Sequence, residues 1–452
     1  MPLPRFIAVI DIGKTNAKVV LIDAGTRQRV AARSTPNMVL RDGAYPHADV
    51  DMLWGFILES LKALQRAHGV DGISITTHGA TAALLAGDEL AMPVLDYEHA
   101  GPEETAAAYA KTRSDFSESL SPRLPNGLNL GAQIFWQARM HAAHFSRVTA
   151  VLTYPQFWAW RLTGVMASEM TSLGCHTDLW APGRGEFSGM VGAQGWTALF
   201  PPVTPAASVL GPIRPAVAAA CGLAPDTPVT CGIHDSNASL LPHLGAHAAP
   251  FTILSSGTWV IAMTVGGDTA RLDPARDSLA NVDAFGRAVP TARFMGGREF
   301  DLLVPEIVAP DADDVARVIA QDIRVQPSIM AGVGPFPAAA GHWTQEPVRA
   351  AERTAAASLY LALMARSCLD LCGLGRQIII EGPLARNTLF GRALARLVGV
   401  PVSASGDATG TSLGASMLFG AGEGQASAGM PIAPLDMPGF EAYAQRWGDA
   451  IS

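Results

Sequence analysis

The chain opens on an apolar run, a polar turn and a second apolar run, a pattern that predicts a β-hairpin. Residues 6–10 and 18–23 are the two strand-favouring runs, joined by a turn that reads Asp-Ile-Gly-Lys-Thr-Asn. The turn places the carboxylate of Asp11 beside Gly13 and the hydroxyl of Thr15. Such a corner can hold a hydrated Mg²⁺ and present backbone N–H groups to phosphate. An ordinary hairpin turn is the alternative, since Asp, Gly and Asn favour turns for local reasons.

The next part of the chain alternates between helical and extended patterns. Residues 50–67 carry apolar residues at helical spacing, and the strand-like run 72–77 ends at His78 and Gly79. Ligands of α/β folds collect at the carboxyl edge of the sheet, so these two residues are candidates for substrate binding. The extended segment 93–99 adds Glu98 as a third candidate. A structural histidine and a solvated loop are the alternatives.

A third strand signal ends on an acid. Residues 227–231 are strand-like and run into Gly-Ile-His-Asp, and residues 238–244 have a helical pattern. A carboxylate where a strand meets a helix is oriented and partly desolvated, as a general base for a hydroxyl must be, which makes Asp235 the candidate base. His234 becomes a further substrate candidate. The alternative is that Asp235 only caps the helix.

The second half of the chain repeats the opening pattern. Residues 251–263 predict another hairpin, with Gly257 and Thr258 at its corner. Two halves that each begin with a strand, a glycine and hydroxyl corner and a strand suggest duplicated domains acting on one nucleotide. Further on, Gly382 and Gly410 stand where predicted helices start, and glycine there permits the close approach of a nucleotide's adenosine.

Length and composition narrow the class of protein. At 452 residues the chain is long enough for two domains, and 49% hydrophobic with 16% charged residues is typical of a globular protein. The formal net charge of −8 argues against a nucleic-acid partner. Five scattered cysteines support neither a disulfide framework nor a zinc site. No signal peptide or long uninterrupted apolar run is visible, so we expect a cytoplasmic protein without a membrane anchor.

Taken together, these motifs resemble the FGGY carbohydrate kinases, which belong to the superfamily of actin and the heat-shock chaperone ATPases. The resemblance covers nearly the whole chain and rests on the order of its parts, which are the turn 11–16, Gly-Ile-His-Asp at 232–235, Ser-Ser-Gly-Thr-Trp at 255–259, Glu-Gly-Pro-Leu-Ala-Arg-Asn at 381–387 and the glycine-rich turn 406–414.

The resemblance implies an α/β fold of two ribonuclease-H-like domains, with ATP and a sugar in the cleft between them. We expect residues 1–245 to carry the sugar site, the first phosphate loop and the base, and residues 246–452 the second phosphate loop and the adenosine segment. By position, Asp235 matches the family's catalytic base and Asp11 its Mg²⁺-associated acid. The phosphate and adenosine segments match at Gly13, Thr15, Gly257, Thr258, Gly382 and Asn387, and we expect Lys14 and Gly410 to belong to the ATP site as well.

Two positions depart from the family pattern. Lys14 stands where many relatives have Thr or a small residue, so it either contacts a phosphate or points away. Pro383 follows Gly382 where a second glycine is usual, and proline removes a backbone N–H.

The resemblance favours an ATP-dependent kinase acting on a small sugar. A ketose is expected, either a 6-deoxyketohexose such as fuculose or rhamnulose, or a ketopentose such as ribulose or xylulose. The competing function is an inactive or ATP-driven sugar-sensing module on the same scaffold, and a homodimer is one assembly to test.

Overall fold

The computed structural model of the chain describes residues 3–405, 410–420 and 429–451. The chain forms two compact units. Unit 1 comprises Met1–Ala246, Asn281–Ala288 and Thr409–Ala426, and unit 2 comprises His247–Ala280, Val289–Ala408 and Ser427–Ser452. The predicted second domain therefore contributes two segments to unit 1.

Unit 1 contains the first fourteen strands of the described chain. They are β1 (Phe6–Ile12), β2 (Asn16–Asp23), β3 (Gln28–Pro36), β4 (Val39–Leu40), β5 (His47–Ala48), β6 (Gly72–Thr77), β7 (Ala82–Ala86), β8 (Glu89–Leu90), β9 (Ala150–Thr153), β10 (Trp180–Ala181), β11 (Glu186–Phe187), β12 (Val209–Pro212), β13 (Pro228–Thr230) and β14 (Ile233–His234).

The first ten helices of the described chain also lie in unit 1. They are α1 (Val50–His68), α2 (Ala106–Tyr109), α3 (Phe116–Ser119), α4 (Leu130–Met140), α5 (Ala142–Phe145), α6 (Tyr154–Thr163), α7 (Met170–Leu173), α8 (Gly189–Ala193), α9 (Pro215–Cys221) and α10 (Asp235–Ala246).

Later elements follow in the same chain-order numbering. The strands are β15 (Phe251–Ser256), β16 (Val260–Val265), β17 (Ser278–Val282), β18 (Ala288–Phe294), β19 (Val325–Gln326), β20 (His342–Trp343), β21 (Ile378–Glu381), β22 (Val402–Ala404) and β23 (Met430–Pro431). The helices are α11 (Gly296–Leu303), α12 (Ala312–Ala320), α13 (Ala350–Cys372), α14 (Thr388–Val398), α15 (Thr411–Ser416) and α16 (Phe440–Asp449).

The main sheet of unit 1 has the order β12-β13-β6-β1-β2-β3, and β14 also pairs with β6. Strands β1, β13 and β14 run parallel to β6, whereas β1-β2 and β2-β3 are antiparallel. This order, three antiparallel strands continued by parallel ones, is the ribonuclease-H-like arrangement expected from the sequence. One core of apolar side chains joins this sheet to α1, α6 and α9, and another joins it to α10 and α15.

Helix α1 shows how the sequence builds one of these layers. Asp49 caps its N-terminus by accepting a hydrogen bond from the backbone N–H of Met52 at 2.9 Å. Leu53, Ile57 and Leu61 recur at helical spacing and are buried. The predicted helix over 50–67 is confirmed.

The short break between β13 and β14 aims the chain toward the candidate base. Gly232 has φ +89° there, and a Cβ atom would lie 3.0 Å from the backbone oxygen of Ile75 in β6. The buried amide Nε2 of Gln156 donates to the carbonyl oxygens of Cys231 and Gly232, at 3.1 Å each. Glycine and a buried amide therefore set the direction in which β14 leaves the break.

The sheet of unit 2 has the order β17-β18-β16-β15-β21-β22-β23. Strands β15 and β16 are antiparallel, and β15, β21 and β22 run parallel, which repeats the arrangement of unit 1. Helix α13 lies in the core of this unit, and most of its residues are buried.

The length and apolar composition of α13 would suffice for a membrane span, but 83% of its apolar stretch is buried inside the protein. Its apolar character is that of a core helix. The expectation from the sequence concerned uninterrupted apolar runs, and α13 is not one, because charged residues interrupt it.

One predicted helix boundary differs from the structure. The helix predicted over 238–244 begins at Asp235. Elsewhere, α4 ends at Met140 and α5 begins at Ala142, because His141 leaves helical geometry. Helix α15 is followed by a 3₁₀ turn over Met417–Gly420.

Candidate active site in unit 1

Three neighbouring strands of unit 1 end at the same edge of the sheet. Asp11 of β1 and Ile233 of β14 are both paired with Thr76 of β6. Because the three strands are parallel, the residues that follow them emerge side by side. These are the turn 13–15, His78 and Asp235, so the topology brings together candidates that lie more than 200 residues apart in the chain.

The carboxyl of Asp11 is buried at this edge. Its Oδ2 accepts a hydrogen bond from Ser412 Oγ at 2.7 Å, and both residues belong to unit 1. Burial raises the pKa of Asp11, while the bond from Ser412 and the charge of Lys18 lower it and the charge of Asp235 adds to the rise. Sequence reasoning missed Ser412, although the hydroxyl in a Gly-Thr-Ser helix start was visible.

The turn after Asp11 has two backbone donors without internal partners. The N–H of Gly13 donates to the carbonyl oxygen of Asn16 at 2.9 Å and closes the turn. Among the described residues, no hydrogen bond engages the N–H groups of Lys14 and Thr15. These two N–H groups, rather than that of Gly13, can therefore donate to a phosphate.

The side chain of Lys14 points to the segment 96–98. Its Nζ forms an ion pair with Asp96, lies 3.5 Å from the Glu98 carboxylate and sits 4.7 Å from the centre of the Tyr97 ring. Asp96 and Glu98 therefore neutralise the charge of Lys14, the residue that departs from the family pattern. Glu98 is 63% exposed, so it retains a surface for a ligand.

His78 is held by aromatic side chains and by its own turn. Its ring centre lies 5.5 Å from that of Tyr97 and 5.3 Å from that of Tyr154. Its Nδ1 is 3.0 Å from the carbonyl oxygen of Gly79. Burial lowers the pKa of His78, while the bond to Gly79 and the charge of Asp235 oppose that shift.

Asp235 occupies the first turn of α10, one residue beyond β14. Its Oδ1 accepts hydrogen bonds from the backbone N–H of Ser236 at 2.6 Å and lies 3.1 Å from His234 Nε2. Among the described residues, none donates to Oδ2, and 33% of the side chain is exposed. Burial raises the pKa of Asp235, which the charge of His78 and the bonds from Ser236 partly offset. One oxygen is thus held and the other can meet a ligand.

The environment of His234 differs from that of His78. Its side chain is buried and both ring nitrogens contact protein groups, Asn237 on one side and Asp235 with Cys175 on the other. Gly79 lies against this ring. Of the predicted sugar-binding residues, His234 is therefore the one with its polar atoms already engaged.

In unit 2 the predicted second phosphate loop is an exposed corner. The backbone N–H of Gly257 donates to the carbonyl oxygen of Trp259 at 2.8 Å, and Gly257 and Thr258 are both exposed. A Cβ atom on Gly297 would overlap the carbonyl oxygen of Gly257, so glycine at 297 lets α11 approach this corner.

Local backbone geometry explains three residues of the predicted adenosine segment. Gly382 has φ +78°, and a Cβ atom there would overlap the carbonyl oxygen of Ser256. Pro383 opens a 3₁₀ helix over Pro383–Arg386, a position where its missing N–H removes no helical hydrogen bond. Asn387 caps α14 by accepting from Phe390 N at 3.0 Å.

Gly410 precedes α15 in unit 1, and the part of its predicted turn at 406–409 lies outside the described residues.

Asp11 is the one candidate metal ligand that the sequence predicts. Within residues 3–405, 410–420 and 429–451, no group of three or more His, Cys, Asp and Glu side chains is arranged to hold a metal ion. Mg²⁺ retains several waters and needs only one or two carboxylates when a nucleotide supplies the remaining ligands. The free oxygen of Asp11 fits that requirement.

Comparison with known proteins addresses the family directly. Residues 6–242 match the N-terminal domain of the FGGY family of carbohydrate kinases, and residues 248–427 match the carbohydrate kinase FGGY C-terminal domain. The chain belongs to the FGGY family of carbohydrate kinases.

Relatives of known name or structure agree with this assignment. A carbohydrate kinase from Novosphingobium aromaticivorans is 38% identical, with a TM-score of 0.92 over 98% of this chain and 100% of its own. An L-fuculokinase from Salmonella typhi is 24% identical over 92% of this chain and 93% of its own. A xylulose kinase from Lactobacillus acidophilus shares the fold, with a TM-score of 0.81 at 16% identity over 99% of this chain and 96% of its own.

Family membership confirms the central expectations from the sequence. The protein is an ATP-dependent carbohydrate kinase with the two-domain α/β fold of the actin-like ATPases. Its substrate is a small sugar.

Proposed function

We propose that this FGGY kinase transfers the γ-phosphoryl group of ATP to a hydroxyl of a small ketose, with Asp235 as the general base. The observation that carries the proposal is the asymmetry of the Asp235 carboxylate. Oδ1 is held by protein donors, whereas Oδ2 has no donor among the described residues and belongs to a partly exposed side chain. That oxygen can accept the proton of a sugar hydroxyl.

Surrounding residues have distinct roles in this proposal. His78, Gly79 and Glu98 line the sugar side, since they lie at or near the strand end beside Asp235. ATP is bound by the N–H groups of Lys14 and Thr15, by the corner at Gly257 and Thr258, and by the segment from Gly382 to Asn387 with Gly410. Asp11 would hold the Mg²⁺ that accompanies ATP, which supplies charge neutralisation for the phosphates.

A 6-deoxyketohexose such as fuculose or rhamnulose is the favoured substrate, with the ketopentoses ribulose and xylulose next. The similarity to an L-fuculokinase over 92% of the chain supports this order. The xylulose kinases share the fold at identities too low to argue for their substrate. A homodimer and a cytoplasmic location stay predictions.

A coupled assay of ADP release tests the substrate class. The purified chain is incubated with ATP and Mg²⁺ and with one member at a time of a panel of 6-deoxyketohexoses, ketopentoses, polyols and aldoses. We expect ADP release to rise most with a ketose and the product to carry one phosphate. Binding of a sugar without any phosphorylated product across the panel would favour the sugar-sensing alternative.

A further inference from the structure

His234 is a buried imidazole with both ring nitrogens within hydrogen-bond distance of protein groups. Its Nδ1 lies 3.2 Å from Asn237 Nδ2, and its Nε2 lies 3.1 Å from Asp235 Oδ1. The thiol of Cys175 is also 3.4 Å from Nε2. The side chain of Asn237 is buried as well, so water does not compete for these contacts.

The contacts determine where the proton of the ring lies. The amide nitrogen of Asn237 is only a donor, so Nδ1 of His234 must accept. Burial lowers the pKa of His234 to about 4, so the ring is neutral at physiological pH. A neutral ring that accepts at Nδ1 carries its proton on Nε2, where the Asp235 carboxylate is the strongest acceptor.

Neighbouring elements fix the position of this ring. A Cβ atom on Gly79 would lie 2.8 Å from His234 Nε2, so only glycine leaves room for the ring at the end of β6. The backbone N–H of His234 donates to Thr171 Oγ1 at 3.1 Å, and that hydroxyl donates to the buried Glu169 at 2.6 Å. The ring is therefore held through its main chain, by Gly79 at its edge and through both nitrogens.

We propose that Asn237 and His234 are positioning residues that orient Asp235 for proton transfer. Asn237 sets the ring tautomer, and His234 Nε2–H holds Oδ1 so that Oδ2 alone faces the substrate. This inference rests on the proposed role of Asp235 as the base.

In the step that results, the O–H bond of the sugar hydroxyl breaks and its proton goes to Oδ2. The sugar oxygen forms a bond to the γ-phosphorus of ATP, and the bond from that phosphorus to the bridging oxygen breaks. ADP leaves with that electron pair, and Asp235 later returns the proton to solvent.

The other charged groups around the base stay constant in a test of His234. The charges that act on Asp235 come from His78 and Asp11, and Lys14 acts on His78 in turn. The neighbouring Tyr97 is a neutral phenol, since burial raises its pKa. Variants at position 234 leave these residues in place. A change in the titration of Asp235 can then be assigned to the lost donor.

A pair of variants separates positioning from simple packing. The variant His234→Leu lacks the Nε2–H donor and so removes a hydrogen bond to the ionised carboxylate of Asp235. The pKa of Asp235 should therefore rise. In the pH profile of kcat/KM, we expect the midpoint of the fall on the acid side, called the acid limb, to move to higher pH by about one unit. The value of kcat should fall about tenfold or more. His234→Gln keeps an N–H donor near the Nε2 position, so the limb should stay near the parent value and part of kcat should return. Equal acid limbs in the two variants would overturn the proposal.

Nitrogen NMR of the intact enzyme gives a second reading that needs no sugar. With ¹⁵N-histidine labelling, the signal lost in His234→Gln identifies the ring of His234. We expect a neutral ring protonated at Nε2 at pH 7, and a mixture of tautomers in Asn237→Ala. A ring protonated at Nδ1, or at both nitrogens, would contradict the arrangement. If the enzyme phosphorylates no sugar, the proposed role of Asp235 as the base fails. The NMR measurement still decides whether Asn237 sets the tautomer of the His234 ring.

Discussion

At the residue scale, the two candidate catalytic acids of unit 1, Asp11 and Asp235, present one engaged and one available oxygen each. Asp235 is held at Oδ1 by Ser236 and His234, and Asp11 is held at Oδ2 by Ser412. Burial raises the pKa of both, and each hydrogen bond opposes that rise by favouring the ionised form. The donors therefore favour the ionised carboxylates that the proposed roles of base and metal ligand require.

Asp11 should act through Mg²⁺ rather than through the sugar. In Asp11→Ala we expect the Mg²⁺ concentration for half-maximal rate to rise by about 10- to 100-fold, because a carboxylate near the metal or its waters is lost. The sugar KM should change little. Ser412→Ala, which removes only the donor to Asp11, is the matched control and should show a smaller rise. A collapse of sugar affinity with unchanged metal dependence would move Asp11 to the sugar site.

His78 and Glu98 should affect the sugar more than ATP. We expect His78→Asn and Glu98→Gln each to raise the sugar KM by about 10- to 100-fold, the cost of one or two lost polar contacts. The ATP KM should remain within about twofold, since these contacts belong to the sugar. Glu186→Gln, an exposed acid of the same unit paired with Arg184, serves as the control. Steady-state kinetics with each substrate varied in turn measures both KM values. A rise in the ATP KM with an unchanged sugar KM would contradict the prediction.

At the element scale, the sequence predicts strands and helix cores well and their ends poorly. The hairpin at Phe6–Ile12 and Asn16–Asp23 and the helix Val50–His68 follow from local apolar spacing. The start of α10 was predicted three residues late because Asp235 and Ser236 are common caps, and nothing local shows that they lie inside the helix. Predictions of element ends failed where long-range packing decides them.

The close approach at Gly382 gives an element-scale prediction. Gly382→Ala should lower the free energy of unfolding by about 1–3 kcal/mol, because the backbone conformation there is accessible almost only to glycine. Overlap with the carbonyl oxygen of Ser256 should add to the loss. Gly399→Ala is the matched control, since Gly399 also has a positive φ, of +67°, but open space around it. Denaturant unfolding that shows equal losses for the two variants would contradict the account.

At the scale of the whole molecule, the contacts that assemble the site lie far apart in sequence. Asp11 and Ser412 are 401 residues apart, and the order β13-β6-β1 with β14 on β6 brings Asp235 near Asp11. Motif order was enough to predict a base at Asp235 and a phosphate turn at 13–15, and both stay predictions. The partners Ser412, Asn237 and Glu169 were not predictable, because no local pattern shows which strand or helix they face.

The buried carboxyl of Glu169 should make stability depend on pH. Burial raises its pKa from 4.5 to about 7, although Thr171 and Ser172 donate to it. A raised pKa in the folded state means that the stabilisation is present below pH 4.5 and is lost as pH rises through 7. Between those values the parent should lose about 3 kcal/mol relative to Glu169→Gln. Denaturant unfolding of both proteins at several pH values measures this difference, and parallel curves would contradict it.

The most direct test of the account is sugar-dependent ADP release by Asp235→Asn. The substitution keeps the shape of the side chain and removes its basicity. With the best sugar of the panel, we predict that kcat falls by about 10²- to 10⁴-fold. Ser236→Ala, which keeps the carboxylate and the backbone donor, should stay close to the parent. Near-normal turnover by Asp235→Asn would contradict the assignment of Asp235 as the base.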